Sequence, residues 1–596
     1  MGYSSLQDCI NDLEKNGHLI RIKEEVDPNL EMSTIHLKVF EAKGKAVLFE
    51  KVKGSKYQAV SNLFGTLERS KFMFRDRFEV MQELVKLRND PMKALKSPFK
   101  YLSTGLAGLK ALPKKASFSS AGFKEIKIED LPLIKHWPKD GGAFVTLPQV
   151  YSEDIDKPGV MDSNLGMYRI QLSGNNYELN KEIGLHYQLH RGIGVHQTKS
   201  NKAGTPLKVS IFVGGPPSHS LAAVMPLPEG ISELTFAGAL GGKRFRYAYE
   251  DGFCISLDAD FVITGEVHPN ENKPEGPFGD HLGYYSLTHD FPLMRVHKVY
   301  AKENAIWAFT VVGRPPQEDT AFGALIHELS GSAIPKEIPG VKEIHAVDAA
   351  GVHPLLLAVG SERYTPYLQS KRPAELLTQA NRILGTGQLS LAKFLFMSAG
   401  DDLNCHDIEK FLTHIFARID LRRDLHFYTK TSIDTLDYSG DGINEGSKLV
   451  LAAYGDKLRT LATSVPAQLK NAKLIIPGVV MMSFDAFTNY KKAKQEIADL
   501  CKDIKTVSEL AGIVQIVLHD AFEFGSDVLK DYLWITYTRS NPSHDVYGVD
   551  DFNEHKHWGC SGPMIIDARK KPHHAPELVV DAVVSKKVDE LLKKYL

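Results

Sequence analysis

The segment Glu275-Gly-Pro-Phe-Gly-Asp280 sets two carboxylic acids five residues apart, separated by residues that break a helix. Gly276, Pro277 and Gly279 make a tight loop there, and such a loop can aim both acids at one point. Two carboxylates sharing an apolar pocket repel, so at least one is expected to have a raised pKa, to hold a proton near neutral pH and to deliver it to a carbanion. A turn carrying two solvated acids is the other reading open at this spacing. Asn164-Leu-Gly-Met-Tyr-Arg169 puts an arginine in a β-rich run, where its planar fork can clamp a carboxylate or phosphate, or can be a surface cation on an edge strand. His186 and His190, in GLHYQLHRGIGVH with His196, have the helical spacing of paired metal ligands. No Glu follows the first His, and Gly192 and Gly194 oppose a helix, so a zinc protease is not expected. One His joined by oxygen ligands from elsewhere suits Mn²⁺ or Mg²⁺, and a His satisfied by backbone groups fits equally. Glu233 follows a GGPP turn and a run of small residues, as a metal carboxylate or an ordinary helix Glu. Glu554, His555, His557 and Cys560, with His573 and His574, match no standard metal spacing and read as a loop or interface cluster.

The elements that must position these residues divide the chain in three. Residues 1–124 mix helix and strand signals, with Leu6, Ile10 and Leu13 on one helical face and AVLFE and AVSNLFG as short strands. Between Pro91 and Lys124 there are seven lysines and no acid, a solvated linker or an arm for an anionic lipid surface. Residues 125–330 are β-rich runs broken by Gly and Pro, favouring a barrel or curved sheet, with a helical pattern near 319–335. Residues 331–596 alternate short strands with amphipathic helices, an α/β domain, and end in an amphipathic helix suited to packing on a neighbour or a partner subunit. No internal repeat is visible.

Composition bounds the function. The 596 residues carry 72 basic and 73 acidic side chains, a net charge of −1, which does not suit a dedicated nucleic-acid binder. Five scattered cysteines without CxxC pairs exclude a disulfide scaffold and fit a reducing compartment. With no apolar run of membrane-spanning length and no signal-like start, the expectation is a cytoplasmic protein, with the lysine-rich segment as its candidate membrane contact.

Taken together, NLGMYR (164–169), QLHRG (188–192), the MPLPEGISE stretch ending at Glu233, EGPFGD (275–280) and VGRPPQED (312–319) resemble, in order and spacing, the UbiD family of decarboxylases. The resemblance implies an α+β fold: an N-terminal α/β cap, a central split β-barrel of flavin-reductase type that binds the cofactor, and a C-terminal α/β domain joined by a helix. It implies prenylated FMN as cofactor, made by a partner flavin prenyltransferase, and reversible decarboxylation of aromatic or α,β-unsaturated acids. On that resemblance Arg169 orients the substrate carboxylate, Glu275 supports Arg169, and Asp280 donates the proton after CO2 leaves. Some members have Glu in place of Asp280; Asp is similar to the quinone-pathway branch acting on hydroxyarenoates, such as 4-hydroxy-3-polyprenylbenzoates and naphthoates. Asn164, His190 and Glu233 resemble the ligands of a Mn²⁺ bridging to the cofactor phosphate, with a monovalent cation such as K⁺ as a further candidate. Met167, Tyr168 and Arg169, with His186, Tyr187, Gln188, Arg191 and Gly192, match the cofactor-lining segments, although some members have Arg and Trp where His186 and Tyr187 stand. Lys393 resembles the family's cofactor-phosphate lysine. The resemblance also implies a homodimer or homohexamer.

The residue types agree with that chemistry. Decarboxylating an arene leaves a carbanion whose electrons need a sink that no side chain provides, so an organic cofactor has to carry it. The protein then supplies a clamp, an acid and a water-poor pocket. Two other classes compete. An FMN oxidoreductase on a similar barrel predicts NAD(P)H oxidation, yet no GxGxxG follows a strand. A non-catalytic binding or assembly protein predicts a broken triad, and all three positions are present.

Overall fold

The computed structural model of the chain describes residues 2–79, 81–82, 111–187, 191–225, 227, 232–330, 337–364, 367, 371–467, 469–505, 508–520 and 523–595. It divides into two compact units, residues 1–331 with 577–596, and residues 332–576.

In the first unit, helices α1 (Leu6–Lys15), α2 (Glu31–Glu41) and α3 (Leu67–Phe74) accompany strands β1 (Leu19–Val26), β2 (Ala46–Val52) and β3 (Gln58–Ser61). The face anticipated for α1 is the buried one, Leu6, Cys9, Ile10 and Leu13, and Ser5 caps its start by accepting from Asp8 N. A nine-stranded sheet follows, built from β4 (Lys124–Ile126), β5 (Phe144–Val145), β6 (Gln149–Glu153), β7 (Ser163–Gly166), β8 (Ile170–Gln171), β9 (Glu182–Leu185), β10 (Leu207–Val213), β11 (Phe261–Glu275) and β12 (His289–Ala301). Its order is β5-β8-β9-β12-β11-β10-β6-β7, with β4 alongside β12, and the ladders are antiparallel. Helices α4 (Gly192–Ala203), α5 (Pro217–Val224), α6 (Glu233–Gly241) and α7 (Glu318–Ser330) complete the unit.

The described residues before 125 share one compact unit with the central sheet. Strand β13 (Ile306–Phe309), expected with the central sheet, instead lies parallel to β3 and completes the four-stranded N-terminal sheet. One apolar core joins Ile22, Met32 and Phe49 to Ile170, Ile183, Val209 and Phe261. The terminal helix α12 (Ala582–Leu592) also packs on its own chain. Val588 and Leu592 enter that core, and Lys587 and Asp589 pair with Glu31 and Lys38 of α2 at 2.9 and 2.5 Å.

The second unit holds a repeat that the sequence hides. Strands β14 (Glu343–Ala346), β15 (Leu355–Gly360), β16 (Phe394–Ala399), β17 (Leu425–Thr431) and β18 (Gly446–Ala453) form a sheet of order β14-β15-β16-β18-β17, with α8 (Glu375–Leu384) and α9 (Ile408–Arg418) between them. Strands β19 (Ala472–Ile476), β20 (Val479–Ser483), β21 (Gln515–His519), β22 (Val546–Gly548) and β23 (Met564–Asp567) form another, order β19-β20-β21-β23-β22, with α10 (Tyr490–Ile504) and α11 (Val528–Arg539). Both sheets have two central parallel ladders flanked by antiparallel ones. The unit is therefore the same β-β-α-β-α-β-β module used twice. Helix α11 is buried from Asp531 to Arg539 without interruption, and its Tyr537 ring lies 5.0 Å from Phe394 of the first module.

Among the described residues no helix is long and apolar enough to cross a membrane. Residues 91–110 of the lysine-rich segment lie outside the described residues.

Candidate active site

Arg169 stands immediately before β8, and its carbonyl accepts from His186 N at the end of β9, so these two residues are cross-strand neighbours on one sheet face. Glu275 ends β11, and the chain then turns through Gly276, whose φ of 90° lies in the left-handed region that favours glycine. The loop is tied down on both sides. Gln171 of β8 accepts from Gly276 N at 2.9 Å, Asn175 donates to Gly276 O at 2.8 Å, and Asp140 accepts from Gly279 N at 2.8 Å.

These constraints bring together the three residues that the resemblance selected. Arg169 Nε and Nη2 donate to the two oxygens of Glu275 at 2.9 and 2.7 Å, while Nη1 donates to Asp280 Oδ2. Nη2 also meets Ser286 Oγ at 2.8 Å and His186 Nδ1 at 3.0 Å, and the guanidinium lies 4.8 Å over the Phe278 ring. The side chains of Arg169, Glu275 and Asp280 are 8%, 0% and 9% exposed. Asp280 Oδ1 accepts from both His281 N and His281 Nδ1 at 2.7 Å.

The charge states differ from the expectation drawn from spacing. Burial favours the neutral form of Glu275, but the Arg169 charge and hydrogen bonds from His186 and Arg169 outweigh it and bring its pKa to about 2. Burial opposes ionisation of Asp280 as well, and donation from His281 with the Arg169 charge carries it below the usual carboxylate range. The two acids do not face one another bare, because Arg169 bridges them. Neither is raised, and both are carboxylates at neutral pH. His186 is held neutral, by burial first and by Arg169 second.

A second group forms beside β7. Glu233 opens α6, and its Oε2 accepts from Leu165 N at 3.4 Å. Asn164, on the same strand, shares a contact of 3.3 Å with the Tyr168 hydroxyl through Oδ1. Gly192, the first residue of α4, leaves the space that this side chain uses, since a Cβ there would stand 2.2 Å from Asn164 Oδ1. Burial pushes the Glu233 carboxyl up, and among the described residues no cation pairs with it. A half-buried acid and an amide oxygen form a donor set that fits a hard divalent cation. His190 and Gln188 lie outside the described residues. Tyr187 packs edge-on to Tyr168 with ring centres 6.1 Å apart, Met167 N donates to Ala223 O, and Arg191 stands at the N-cap position of α4 without a side-chain capping bond.

Lys393, the lysine expected at the cofactor phosphate, is held by an acid of its own unit. It lies in the second unit, 1% exposed, with its ammonium on Asp437 at 2.8 Å and Ser439 at 2.6 Å. The cluster near the C-terminus is a β-hairpin (Asp551–Glu554 with His557–Cys560) in which Glu554 and His555 are exposed and Cys560 is buried. Sequence reasoning missed His281 and Ser286. His281 follows Asp280 directly, which is a readable signal, whereas Ser286 reaches Arg169 only through the fold.

Three successive segments match known families: residues 10–88, the 3-octaprenyl-4-hydroxybenzoate carboxy-lyase N-terminal domain; 111–315, its Rift-related domain; and 320–453, its C-terminal domain. The second module of the repeat lies beyond these matches. A Chlamydia pneumoniae protein, named as one of the subunits of 4-hydroxybenzoate decarboxylase, is 35% identical over 603 residues, covering 99% of this chain and 98% of that protein. The closed form of Sedimentibacter hydroxybenzoicus vanillic acid decarboxylase superposes with a TM-score of 0.65 at 20% identity, over 84% of this chain and all of that one (100%). The evolved dimeric UbiD-class enzyme HmfF from Pelotomaculum thermopropionicum, solved in complex with prFMN, gives 0.59 at 20% identity over 78% and 97%. The chain belongs to the UbiD family of carboxy-lyases.

Proposed function

We propose that this chain is a non-oxidative, prenylated-FMN-dependent decarboxylase of aromatic acids, with a hydroxyarenoate of quinone biosynthesis as its substrate class. The observation that carries the reading is the single guanidinium of Arg169 shared between buried Glu275 and Asp280. Glu275 occupies Nε and Nη2 and fixes the plane of the fork, so the Nη1 edge, which now meets Asp280, is the one a substrate carboxylate can reach. An arriving carboxylate competes with Asp280 for that edge. It also sets a like charge beside Asp280, which raises the affinity of Asp280 for a proton. The acid is then loaded next to the carbon that loses CO2. Bound prenylated FMN would supply the electron sink for that carbon.

Asn164, Glu233 and His190 would hold a Mn²⁺ that neutralises the cofactor phosphate, and the uncapped start of α4 with Arg191 and Gly192 is suited to the same anion. A flavin prenyltransferase would provide the cofactor, and the curled antiparallel sheet would serve as a split barrel of flavin-reductase type. An apolar polyprenyl substrate gives the lysine-rich segment a reason to meet a lipid surface.

The test is the small molecule released on denaturing protein made alongside a flavin prenyltransferase, with metal analysis of the same sample and CO2 release from 4-hydroxybenzoate, 3,4-dihydroxybenzoate, vanillate and a prenylated hydroxybenzoate. Prenylated FMN with Mn and CO2 from at least one acid is the expected result. Plain FMN with NAD(P)H oxidation and no CO2 would replace this reading with an oxidoreductase.

A further inference from the structure

Asp280 is a carboxylate in the geometry described, and a carboxylate has no proton to give. One must reach it in every turnover, and the groups touching Asp280 limit the route. Its Oδ2 accepts from Arg169, and a guanidinium does not surrender a proton in a protein. Its Oδ1 accepts from a backbone N–H, which does not transfer its proton either, and from the imidazole of His281, which can transfer one. The Asp280 side chain is 9% exposed and that of His281 is 18% exposed, with Nε2 of the ring itself buried.

We propose that His281 is the positioning residue that holds Asp280 and reloads it with a proton, an assignment that rests on the decarboxylase reading above. The imidazolium gives its Nδ1 proton to Asp280 Oδ1, so an N–H bond breaks and an O–H bond forms. Asp280 then passes that proton to the carbon, breaking O–H and forming C–H as CO2 departs. The ring, left with its Nε2 proton, regains one at Nδ1 from solvent between turnovers, so one proton is consumed for each carboxylate converted to CO2.

The charged groups around the pair support this direction. Glu275 has both oxygens on Arg169, and the neutral His186 turns Nδ1 towards Arg169 and Glu275, so neither competes for Asp280. Asp319, near the start of α7, acts electrostatically on both His281 and Asp280, and its negative charge favours the imidazolium. With Asp280 in contact and Asp319 within electrostatic reach, the ring sits where a proton in transit is stabilised.

The experiment uses the flavin-loaded enzyme with His281→Asn, His281→Ala and Asp280→Asn, following CO2 release from whichever arenoate the parent protein consumes. Asn keeps a donor for Oδ1 but has no proton to relay. Both His281 variants should lose about 10²-fold in kcat with KM within about twofold, and the fall of kcat with rising pH should begin at lower pH. Added imidazole should restore the Ala variant and leave Asp280→Asn inactive. A parent-like pH profile in His281→Asn, or a loss in His281→Ala that imidazole does not repair, overturns the assignment. Should the parent release no CO2 from any acid, the functional reading itself falls. The coupling is then read by infrared titration of the Asp280 carboxyl, identified by its disappearance in Asp280→Asn. His281→Ala should raise that titration, and an unchanged one overturns the proposal on its own.

Discussion

Replacing Glu275 with Gln keeps shape and size but removes the charge that orients Arg169. The native carboxyl titrates at about 2 against an ordinary 4.5 despite being completely buried, a preference for the ionised form on the order of 3 kcal/mol. Gln offers one oxygen where the carboxylate offered two. One of the bonds at 2.9 and 2.7 Å is then lost, and an amide N–H faces a guanidinium N–H. If that preference is what holds the fork in the plane that meets substrate, kcat/KM falls by about 10². Flavin occupancy should be unchanged, because among the described residues no hydrogen bond of Glu275 reaches the Asn164–Glu233 group. The same substitution carries a pH signature with a definite sign. The folded pKa of Glu275 is depressed, so its stabilisation is fully present above about 4.5 and is lost as pH falls towards 2. The parent should therefore lose protection of the 275–280 amides across that window more steeply than Glu275→Gln, measured by hydrogen exchange at a series of pH values. Asp280 contributes a slope of the same sign in both proteins. A Glu275→Gln enzyme within threefold of the parent in kcat/KM, with a parental acid profile, would show that Arg169 is oriented by something else.

Asp280→Asn should lower turnover by about 10³ or more with flavin and metal retained; activity within tenfold of the parent would remove Asp280 from proton donation. Gly192→Ala places a methyl 2.2 Å from Asn164 Oδ1, so metal per chain, by elemental analysis, should fall below half of the parent's. Full occupancy there would mean that Asn164 is not a ligand. In the second unit, Lys571 and Asp545 form an ion pair at 3.1 Å with both side chains 0% exposed. Lys571→Met should destabilise that unit by roughly 3–5 kcal/mol, because it strands a buried acid, and adding Asp545→Asn should recover part of the loss. Equal urea midpoints for the parent and the single variant would contradict this.

Much of the site was legible because its pieces are local. Gly276 and Gly279 announce a tight loop wherever they fold, and the pattern of Leu6, Ile10 and Leu13 identifies the buried face of α1. The electrostatics were not legible, because they depend on a partner 106 residues away in sequence. Two acids in one loop repel until β8 and β11 place Arg169 between them, and its charge, with donation from His281 to Asp280 and from His186 to Glu275, lowers both. Lys393 is a related case. A lysine leading into an apolar strand looks like a free ligand, and only the fold reveals the Asp437 that holds it. The repeat in the second unit escaped for a different reason again. Buried central strands such as LLLAVG and VVMMS share little beyond being apolar, and periodicity records which face is buried but not which strand lies beside which. Strand order is a property of ladders, so the duplication appears only once the two sheets are traced. What a sequence states best is therefore chemistry compressed into a few neighbouring residues. His281 is the case in point, since it adjoins Asp280 in the chain.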